Sequence, residues 1–151
     1  LLPETDHVHA APAAAEAAPV TAMHDATEGG IHGALHELAA ASAVRLDAER
    51  ERFPIGDGVR EVCEAFDIDP WTASSEGAVL VSVRPDGVED VLGALAAEGI
   101  RAADVGVVRE GSGVTVDGCD LPEPTSDPFW DAYERGREKY GVQTAWGSAF
   151  D

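Results

Sequence analysis

The chain has 151 residues and carries 29 acidic side chains, Asp or Glu, against 10 basic ones, which gives a formal net charge of −19. This length suits one domain with a core of its own. A surface this acidic repels nucleic acid and anionic lipid, so the composition excludes both as partners recruited by long-range attraction.

The charge also bears on the medium in which the protein works. Lys139 is the only lysine, and high salt screens the self-repulsion of a surface rich in carboxylates. We therefore expect a halophilic protein, with an ordinary acidic protein as the alternative. The sequence has no apolar run of membrane-spanning length and no secretory signal, so we expect a cytoplasmic protein without a membrane partner.

The cysteines and the first residue bound the chemistry further. Cys63 and Cys119 lie far apart and form no CxxC pair, so the sequence predicts neither a zinc site nor a redox pair. The sequence begins with Leu1 and has Met23 as its only methionine, so we expect a fragment or a processed product. A site in it would then be completed by a domain that precedes it.

Residues 1–19 are expected to form an N-terminal arm and a short helix that lead from such a domain. The first half is polar, and the second half is rich in alanine with Pro12 near its start, which favours a short helix. His7 and His9 alternate as metal ligands on a strand do, although exposed arms often carry such histidines without a function.

A short strand, a glycine turn and an amphipathic helix follow one another from residue 20. Residues 20–23 are mostly apolar, as at a strand end, and residues 25–30 form the turn. Apolar or small residues then recur at helical spacing: Ile31, Ala34, Leu35, Leu38, Ala39 and Ser42. This order is typical of an anion site, because the first N–H groups of a helix lack partners and its dipole adds partial positive charge there.

Two glycines in the turn, Gly29 and Gly30, would let a phosphate approach those N–H groups, since neither has a Cβ. Asp25 and Glu28 would repel a bare phosphate and fit better if a metal ion, or a ligand amine or hydroxyl, lies between. Alternatively, the side chain of Asp25 or Thr27 caps the helix. The residues leave ligand binding and capping open, because glycine turns are common and this one matches no nucleotide-binding fingerprint.

The central part of the chain alternates between strands and helices. Strands are predicted at residues 44–48 and 78–83, and a helix at residues 57–66. The inner face of that helix is expected to hold Val59, Val62, Cys63 and Phe66.

A second helix and a hairpin come next. Asp86 and Glu89 form the pattern of a capping box, and Gly99 is expected to end the helix. Residues 105–109 and 114–116 flank a glycine-containing turn and predict a β-hairpin. Alternating helices and strands with a hairpin near the end indicate an α/β sandwich with a mixed or antiparallel sheet.

Residues 121–151 depart from this pattern, so we assign the domain to residues 20–120 and expect a final helix and tail after it. Asp127 suits the cap of that helix. One of its faces would hold Phe129, Trp130, Tyr133 and Arg137. In the irregular tail, Trp146 and Phe150 would dock on the body or on a missing domain.

Four segments resemble, in the same order, the C-terminal domain of the aminoimidazole ribonucleotide (AIR) synthetase superfamily, which includes PurM, the selenophosphate synthetases, thiamine-monophosphate kinase and HypE. They are MHDATEGG at 23–30, VCEAFDIDP at 62–70, SSEG at 74–77 and AADVG at 102–106. The HypE proteins and their archaeal relatives are most similar, with D-P-T-R-G-G, V-C-E-x-L-G-L-D-P, A-N-E-G and A-x-x-I-G at these places. The chain is thus identified as an archaeal, HypE-like member of the superfamily.

The resemblance implies a three-layer α/β/α sandwich with a mixed, largely antiparallel sheet. In this family a preceding N-terminal domain usually forms a homodimer and binds ATP with Mg²⁺, and the C-terminal domain faces the nucleotide across a cleft. ATP there activates an oxygen of a small substrate, as in hydrogenase maturation or purine biosynthesis, so the chain alone is expected to be inactive. The resemblance assigns the phosphate or metal side to Asp25, Thr27, Gly29 and Gly30, with Asp25 as the metal ligand, and the substrate loop to Ser75, Glu76 and Gly77.

Two departures from the HypE pattern favour a protein without the HypE reaction. Glu28 stands where the family motif has arginine, which inverts a charge beside the expected phosphate. The chain ends at Asp151 without the C-terminal cysteine on which HypE carries its carbamoyl group. The alternative is therefore a non-catalytic ligand-binding or assembly module that retains the fold.

Overall fold

The computed structural model describes residues 7–75, 77–125 and 128–141, and within them five α-helices and six strands. In chain order these are α1 His7–Ala17, β1 Val20–Ala26, α2 Gly30–Ser42, β2 Arg45–Ala48, α3 Asp57–Phe66, β3 Ala78–Val83, α4 Val88–Ala97, β4 Gly106–Arg109, β5 Gly113–Val116, β6 Cys119–Leu121 and α5 Pro128–Tyr140. Short 3₁₀ turns precede α3 and α4, at Arg50–Arg52 and Pro85–Gly87. None of the described helices is long and apolar enough to span a bilayer.

The strands hydrogen-bond as two groups. β1 and β3 form an antiparallel pair, and the other four strands form a sheet in the order β4-β2-β5-β6. Within this sheet β2 runs antiparallel to β4 and parallel to β5, and β5 runs antiparallel to β6. The pairing is therefore mixed and largely antiparallel, which confirms the predicted fold class, although the strands are divided between two sheets.

Helices cover both faces of the β1–β3 pair, as a three-layer α/β/α arrangement requires. Side chains alternate along a strand, so Val81 and Val83 face α1 and α4 while Leu80 faces α2. The outer layer is a small cluster around Ala14, Ala18, Val91 and Leu95. Ala14 of α1 packs into this cluster, and the helix continues through Pro12.

The main core lies on the other side of the β1–β3 pair. Helix α2 is packed between this pair and the four-stranded sheet, which it meets at β2 and β5. The buried cluster consists of Ala26, Ala34, Leu35, Leu38, Ala39, Leu46, Ala48, Phe53, Trp71, Leu80 and Val114. Complete burial of one leucine side chain stabilises the fold by about 1.5–3 kcal/mol, so the two leucines of α2 anchor the helix that carries the glycine turn.

The predicted hairpin between β4 and β5 is wrong. Arg109 of β4 and Gly113 of β5 both pair with Arg45, from its two sides, so residues 110–112 cross over the end of β2. Strand β2 lies between β4 and β5 in the sheet. Leu46 and Ala48 on one face of β2 are buried in the main core. The short hairpin lies instead between β5 and β6. Its turn residues Asp117 and Gly118 have φ of 51° and 79°, as a two-residue turn of type I′ requires.

Two expectations for α3 and α4 also need correction. The apolar face of α3 is mostly exposed at Val59, Val62 and Phe66, and only Cys63 is buried. Burial raises the pKa of the Cys63 thiol, and Asp69 adds to the effect. Helix α4 has no side-chain cap: Asp86 lies in the preceding 3₁₀ turn and Gly87 is the N-cap.

The end of the chain matches the prediction in part. Helix α5 is present, but Phe129, Trp130 and Tyr133 are largely exposed and contact one another. Asp127, and the tail with Trp146 and Phe150, lie outside the described residues.

Candidate functional site

Asp25 lies in strand β1 and not in the glycine turn. Its backbone pairs with Val79 of β3, and the strand continues to Ala26. The neighbouring His24 contacts Glu37 of α2 at 2.6 Å, so by strand alternation the Asp25 side chain projects from the opposite face of the pair. The carboxylate is 59% exposed and its nearest recorded charged partner is Nδ1 of His24, at 3.9 Å, so it is available to solvent.

The start of α2 is held by the backbone. The N–H of Gly30 donates to the carbonyl of Thr27, that of His32 to the carbonyl of Trp71, and that of Gly33 to the carbonyl of Gly29, each at 3.0 Å. No side chain caps the helix, so the capping alternative for Asp25 or Thr27 is wrong. The bond from Gly33 is the first ordinary bond of the helix, but the N–H groups of Gly30 and His32 are among those that a helix start usually leaves unpaired, so the helix end offers an anion fewer donors than the sequence suggests.

Gly30 is needed for close packing of the chain against itself. It has φ of 59°, and a Cβ at this position would lie 2.5 Å from the carbonyl oxygen of Ala73 and 2.7 Å from that of Trp71. The space that the sequence assigned to a ligand is thus filled, at Gly30, by the backbone of residues 71–73. Gly29, with φ of 73°, has more room, since its Cβ would meet nothing nearer than 3.6 Å.

The two predicted site segments lie next to each other. The N–H of Ser75 donates to the carbonyl of Thr27 at 3.2 Å, so the loop before β3 is tied to the glycine turn. The N–H of Gly77 donates to the Ser75 hydroxyl oxygen at 3.5 Å, and Gly77 is exposed. Glu76 lies outside the described residues. The structure therefore brings Thr27, Gly30 and Ser75 together and leaves Asp25 on another face.

An anchor that the sequence analysis missed holds this loop in place. Asp69 accepts two hydrogen bonds from one guanidinium nitrogen of Arg50, both at 2.6 Å, and one from the N–H of Trp71 at 3.0 Å. The Arg50 guanidinium also lies over the ring of Trp71, 4.7 Å from its centroid, and Phe53 meets that ring edge-on. An Asp that accepts a hydrogen bond from the N–H two residues later is typical of a turn and can be recognised in a sequence. Nothing in the local sequence marks Arg50 as the partner of Asp69.

A cavity of about 450 Å³ opens beside the turn. Its lining includes three carboxylates, Glu28, Glu37 and Glu123, together with Gly29 and His36. Burial lowers the pKa of His36 and the neighbouring His32 lowers it further, against an opposing effect of Glu123. Nothing in this lining would attract a bare phosphate, whereas a cation or a ligand amine would be attracted. Among the described residues, no group of three or more His, Cys, Asp or Glu is arranged to hold a metal ion.

A second cavity, of about 360 Å³, lies on the outer face of the four-stranded sheet. Asp47 accepts hydrogen bonds there from the Thr115 hydroxyl at 2.5 Å, from Arg45 Nε at 2.8 Å and from Arg109 Nε at 2.5 Å. These bonds, that of Thr115 above all, hold the pKa of the Asp47 carboxyl well below its usual range. Asp47 of β2 is thus tied to β4 by an ion pair with Arg109 and to β5 by the hydroxyl of Thr115, so this group holds the sheet together.

Comparison with known proteins agrees with this fold. Carbamoyl dehydratase HypE of Escherichia coli is 36% identical over 101 residues, which are 66% of this chain and 30% of that protein. HypE of Rhizobium leguminosarum is 36% identical over 97 residues, or 63% of this chain and 28% of that protein. The chain thus spans less than a third of the length of these relatives.

Solved structures of HypE proteins have the same fold as this chain. The crystal structure of E. coli HypE superimposes with a TM-score of 0.71 at 30% identity, and it covers 81% of this chain and 40% of that one. A hydrogenase maturation protein HypE in complex with ATP has the same fold, with a TM-score of 0.64 at 22% identity over 72% of this chain and 37% of that one.

The family described as "AIR synthase related protein, C-terminal domain" matches residues 1–118. This stretch includes the glycine turn, the loop before β3, both sheets up to the turn of the β5–β6 hairpin, and helices α1 to α4. The chain therefore belongs to the family of AIR synthase related C-terminal domains.

Proposed function

We propose that this chain supplies the C-terminal domain of a HypE-like protein that binds ATP and Mg²⁺ between two domains and activates an oxygen of a small substrate. The observation that carries the proposal is the hydrogen bond from Ser75 to Thr27, which joins the glycine turn to the loop that the HypE pattern places near the substrate. A HypE relative of the same fold is known in complex with ATP.

The residues of this chain suit half of such a site. Gly29 leaves room for a phosphate, and Thr27 and Ser75 hold the two backbone segments together, so their part is to position groups and not to form covalent bonds. The exposed Asp25 carboxylate has the oxygen that Mg²⁺ prefers, but its side chain leaves the other face of the β1–β3 pair. As a Mg²⁺ ligand it would therefore depend on waters, phosphates and another domain for most ligand positions. Glu76 and Gly77 complete the proposed substrate loop. The chain alone is therefore expected to turn over no ATP.

A fusion protein tests this proposal. The chain replaces the C-terminal domain of E. coli HypE, and ATP hydrolysis is measured for the fusion and for the chain alone. We expect turnover by the fusion only, and loss of the Mg²⁺-dependent part in Asp25→Asn. Asp86→Asn, a substitution of another exposed carboxylate on the 3₁₀ turn before α4, is the matched control and should leave turnover unchanged.

A second function is favoured by the acidic cavity beside the turn. Glu28, Glu37 and Glu123 line it, and they oppose a phosphate at the place where the family motif has arginine. On this alternative the fold is a ligand-binding or assembly module without catalysis. A folded fusion that binds neither ATP nor Mg²⁺ would decide for the alternative, and so would one that binds ATP without hydrolysing it.

A further inference from the structure

Two arginines lie directly opposite each other on the outer face of the four-stranded sheet. Arg45 of β2 pairs with Arg109 of β4 in the antiparallel register, and both side chains line the cavity of about 360 Å³ on this face. Like charges directly opposite each other on neighbouring strands destabilise a sheet. The chain has only 10 basic side chains against 29 acidic ones, so two of its few cations meet at one point of its surface.

Asp47 neutralises only one of these two guanidinium charges. It accepts a hydrogen bond from the Nε atom of each arginine, and among the described residues it is the only carboxylate in contact with either one. Asp120 of β6 acts on Arg45 from a longer distance and forms no ion pair with it. The side chains of Arg45 and Arg109 are 42% and 61% exposed, and their terminal NH₂ groups donate to no other described residue.

Asp47 therefore holds each guanidinium group in place through Nε and leaves the NH₂ groups open. Planar groups held in this way match the oxygens of a carboxylate or a phosphate, to which arginine donates two hydrogen bonds at once. This end of the cavity suits an anionic group.

The other end of the same cavity is acidic. Strand β2 ends at Ala48, about 10 Å along the strand from Arg45. Three carboxylates line the cavity at this end: Glu49, Asp104 and Asp117. Arg52 is the only cation there among the described lining residues, and it pairs with Glu49 at 3.1 Å and with Asp104 at 3.8 Å. One cation against three carboxylates leaves an excess of negative charge, which attracts an amine.

An apolar wall lies between the two charged ends. Val107 of β4 is directly opposite Asp47 in the register; it lines the cavity and is 49% exposed. The volume of about 360 Å³ is in the range of about 300–1,000 Å³ that is usual for small-molecule sites. Leu46 and Ala48 are buried with α2 on the inner face of β2, so the sheet separates this cavity from α2.

We propose that this cavity binds a small amphoteric molecule, whose carboxylate or phosphate group is held by Arg45 and Arg109 and whose amine lies at the acidic end. The aliphatic part between the two groups contacts Val107. A chain of net charge −19 repels a bare anion at long range, whereas a ligand that carries both charges avoids this repulsion. The inference goes beyond the proposed function and does not depend on it.

Calorimetric titration of the chain at low ionic strength tests the inference with two probes, 6-aminohexanoate and 6-aminohexyl phosphate. Hexanoate and hexyl phosphate lack the amine, and hexylamine lacks the anionic group. We expect at least one probe to bind at least about tenfold more tightly than its analogue without the amine and than hexylamine, because each lost hydrogen bond to a charged group costs roughly this factor. The probe that binds more tightly identifies the anionic group.

Two substitutions test the two ends of the cavity. Arg109→Gln should weaken binding of the probe by about tenfold or more. Arg84→Gln is the matched control, because it removes the same charge from an exposed arginine outside the cavity, and it should leave the affinity unchanged. Asp104→Asn leaves the bonds of Asp47 intact, and it should weaken the probe without weakening the analogue that lacks the amine.

Three results would overturn the inference. The first is that neither probe binds, since the arginine pair would then serve the sheet alone. The second is equal affinity for each probe and its analogue without the amine. The third is an equal loss of affinity in Arg109→Gln and Arg84→Gln, which would indicate attraction by overall charge. Thermal unfolding shows whether each variant is folded. If Arg109→Gln is not, Asp104→Asn decides, and an unchanged preference for the amine there contradicts the inference.

Discussion

Helices α2 and α3 have the same kind of apolar spacing and opposite surroundings. Leu35 and Leu38 of α2 are 4% and 9% exposed because the helix is packed between two sheets. Val62 of α3, at an equivalent place in its own pattern, faces solvent. The comparison teaches that periodicity identifies the apolar face of a helix, whereas the neighbouring elements decide whether that face is buried or exposed.

The largest effect is expected from truncating the two apolar faces. Leu35→Ala should lower the free energy of unfolding by about 2–5 kcal/mol, because it leaves a cavity between the sheets. Val59→Ala on the exposed apolar face of α3 should change it by no more than about 0.5 kcal/mol, as at other exposed positions. Urea unfolding of the two variants measures the difference. Similar losses in both would show that α3 is covered by other parts of the chain.

The next effect sharpens the comparison at the start of α2. Gly30→Ala should lower the free energy of unfolding by about 1–3 kcal/mol or more, because a non-glycine residue is strained at its φ of 59° and the new Cβ would meet two carbonyl oxygens. Gly93→Ala in α4 is the matched control: its Cβ would meet nothing within 4 Å, and alanine favours a helix by roughly 0.5–1 kcal/mol. Thermal unfolding separates the two. A Gly30→Ala chain as stable as the wild type would indicate a loop free enough to admit a ligand.

The smallest effect concerns salt and applies to both helices. The net charge of −19 should make the chain more stable in molar KCl than in dilute buffer, with the unfolding midpoint rising by about 2–4 °C for each kcal/mol of repulsion that is screened. Val62→Gln should show the same increment, since it removes no charge. A midpoint that does not respond to KCl would count against the halophilic interpretation.

The local patterns predicted much of the fold. The strand at residues 78–83, the helix at 57–66 and the helix after the glycine turn are present, because hydrophobic periodicity is a property of the sequence alone. Which strands pair with each other is not such a local property. Residues 105–109 and 114–116 looked like a hairpin because a glycine turn separates them, but each pairs with β2, which lies far away in the sequence.

For the candidate site, too, local motifs predicted some features and the tertiary structure decided others. The segments with Thr27 and Ser75 could be selected by their motifs, and the structure brings them together. The Asp25 carboxylate could not be placed, because a one-residue difference in where the strand ends decides which face a side chain leaves from. Asp69 and Arg50, which anchor the loop, lie 19 residues apart in the sequence, and no local pattern predicts that they pair.

By itself, the sequence determined the acidity of this protein, the order of its helices and strands, and its family, since these depend on composition and short-range pattern. Only the tertiary structure decided that Gly30 serves the packing of the Trp71 loop, that the N–H groups of Gly30 and His32 have backbone partners, and that the apolar face of α3 lies exposed among the described residues. Each of these depends on which distant backbone or side chain fills the space around a residue. Close packing of segments that are distant in the sequence decides how this space is filled, and a short stretch of sequence does not contain that information.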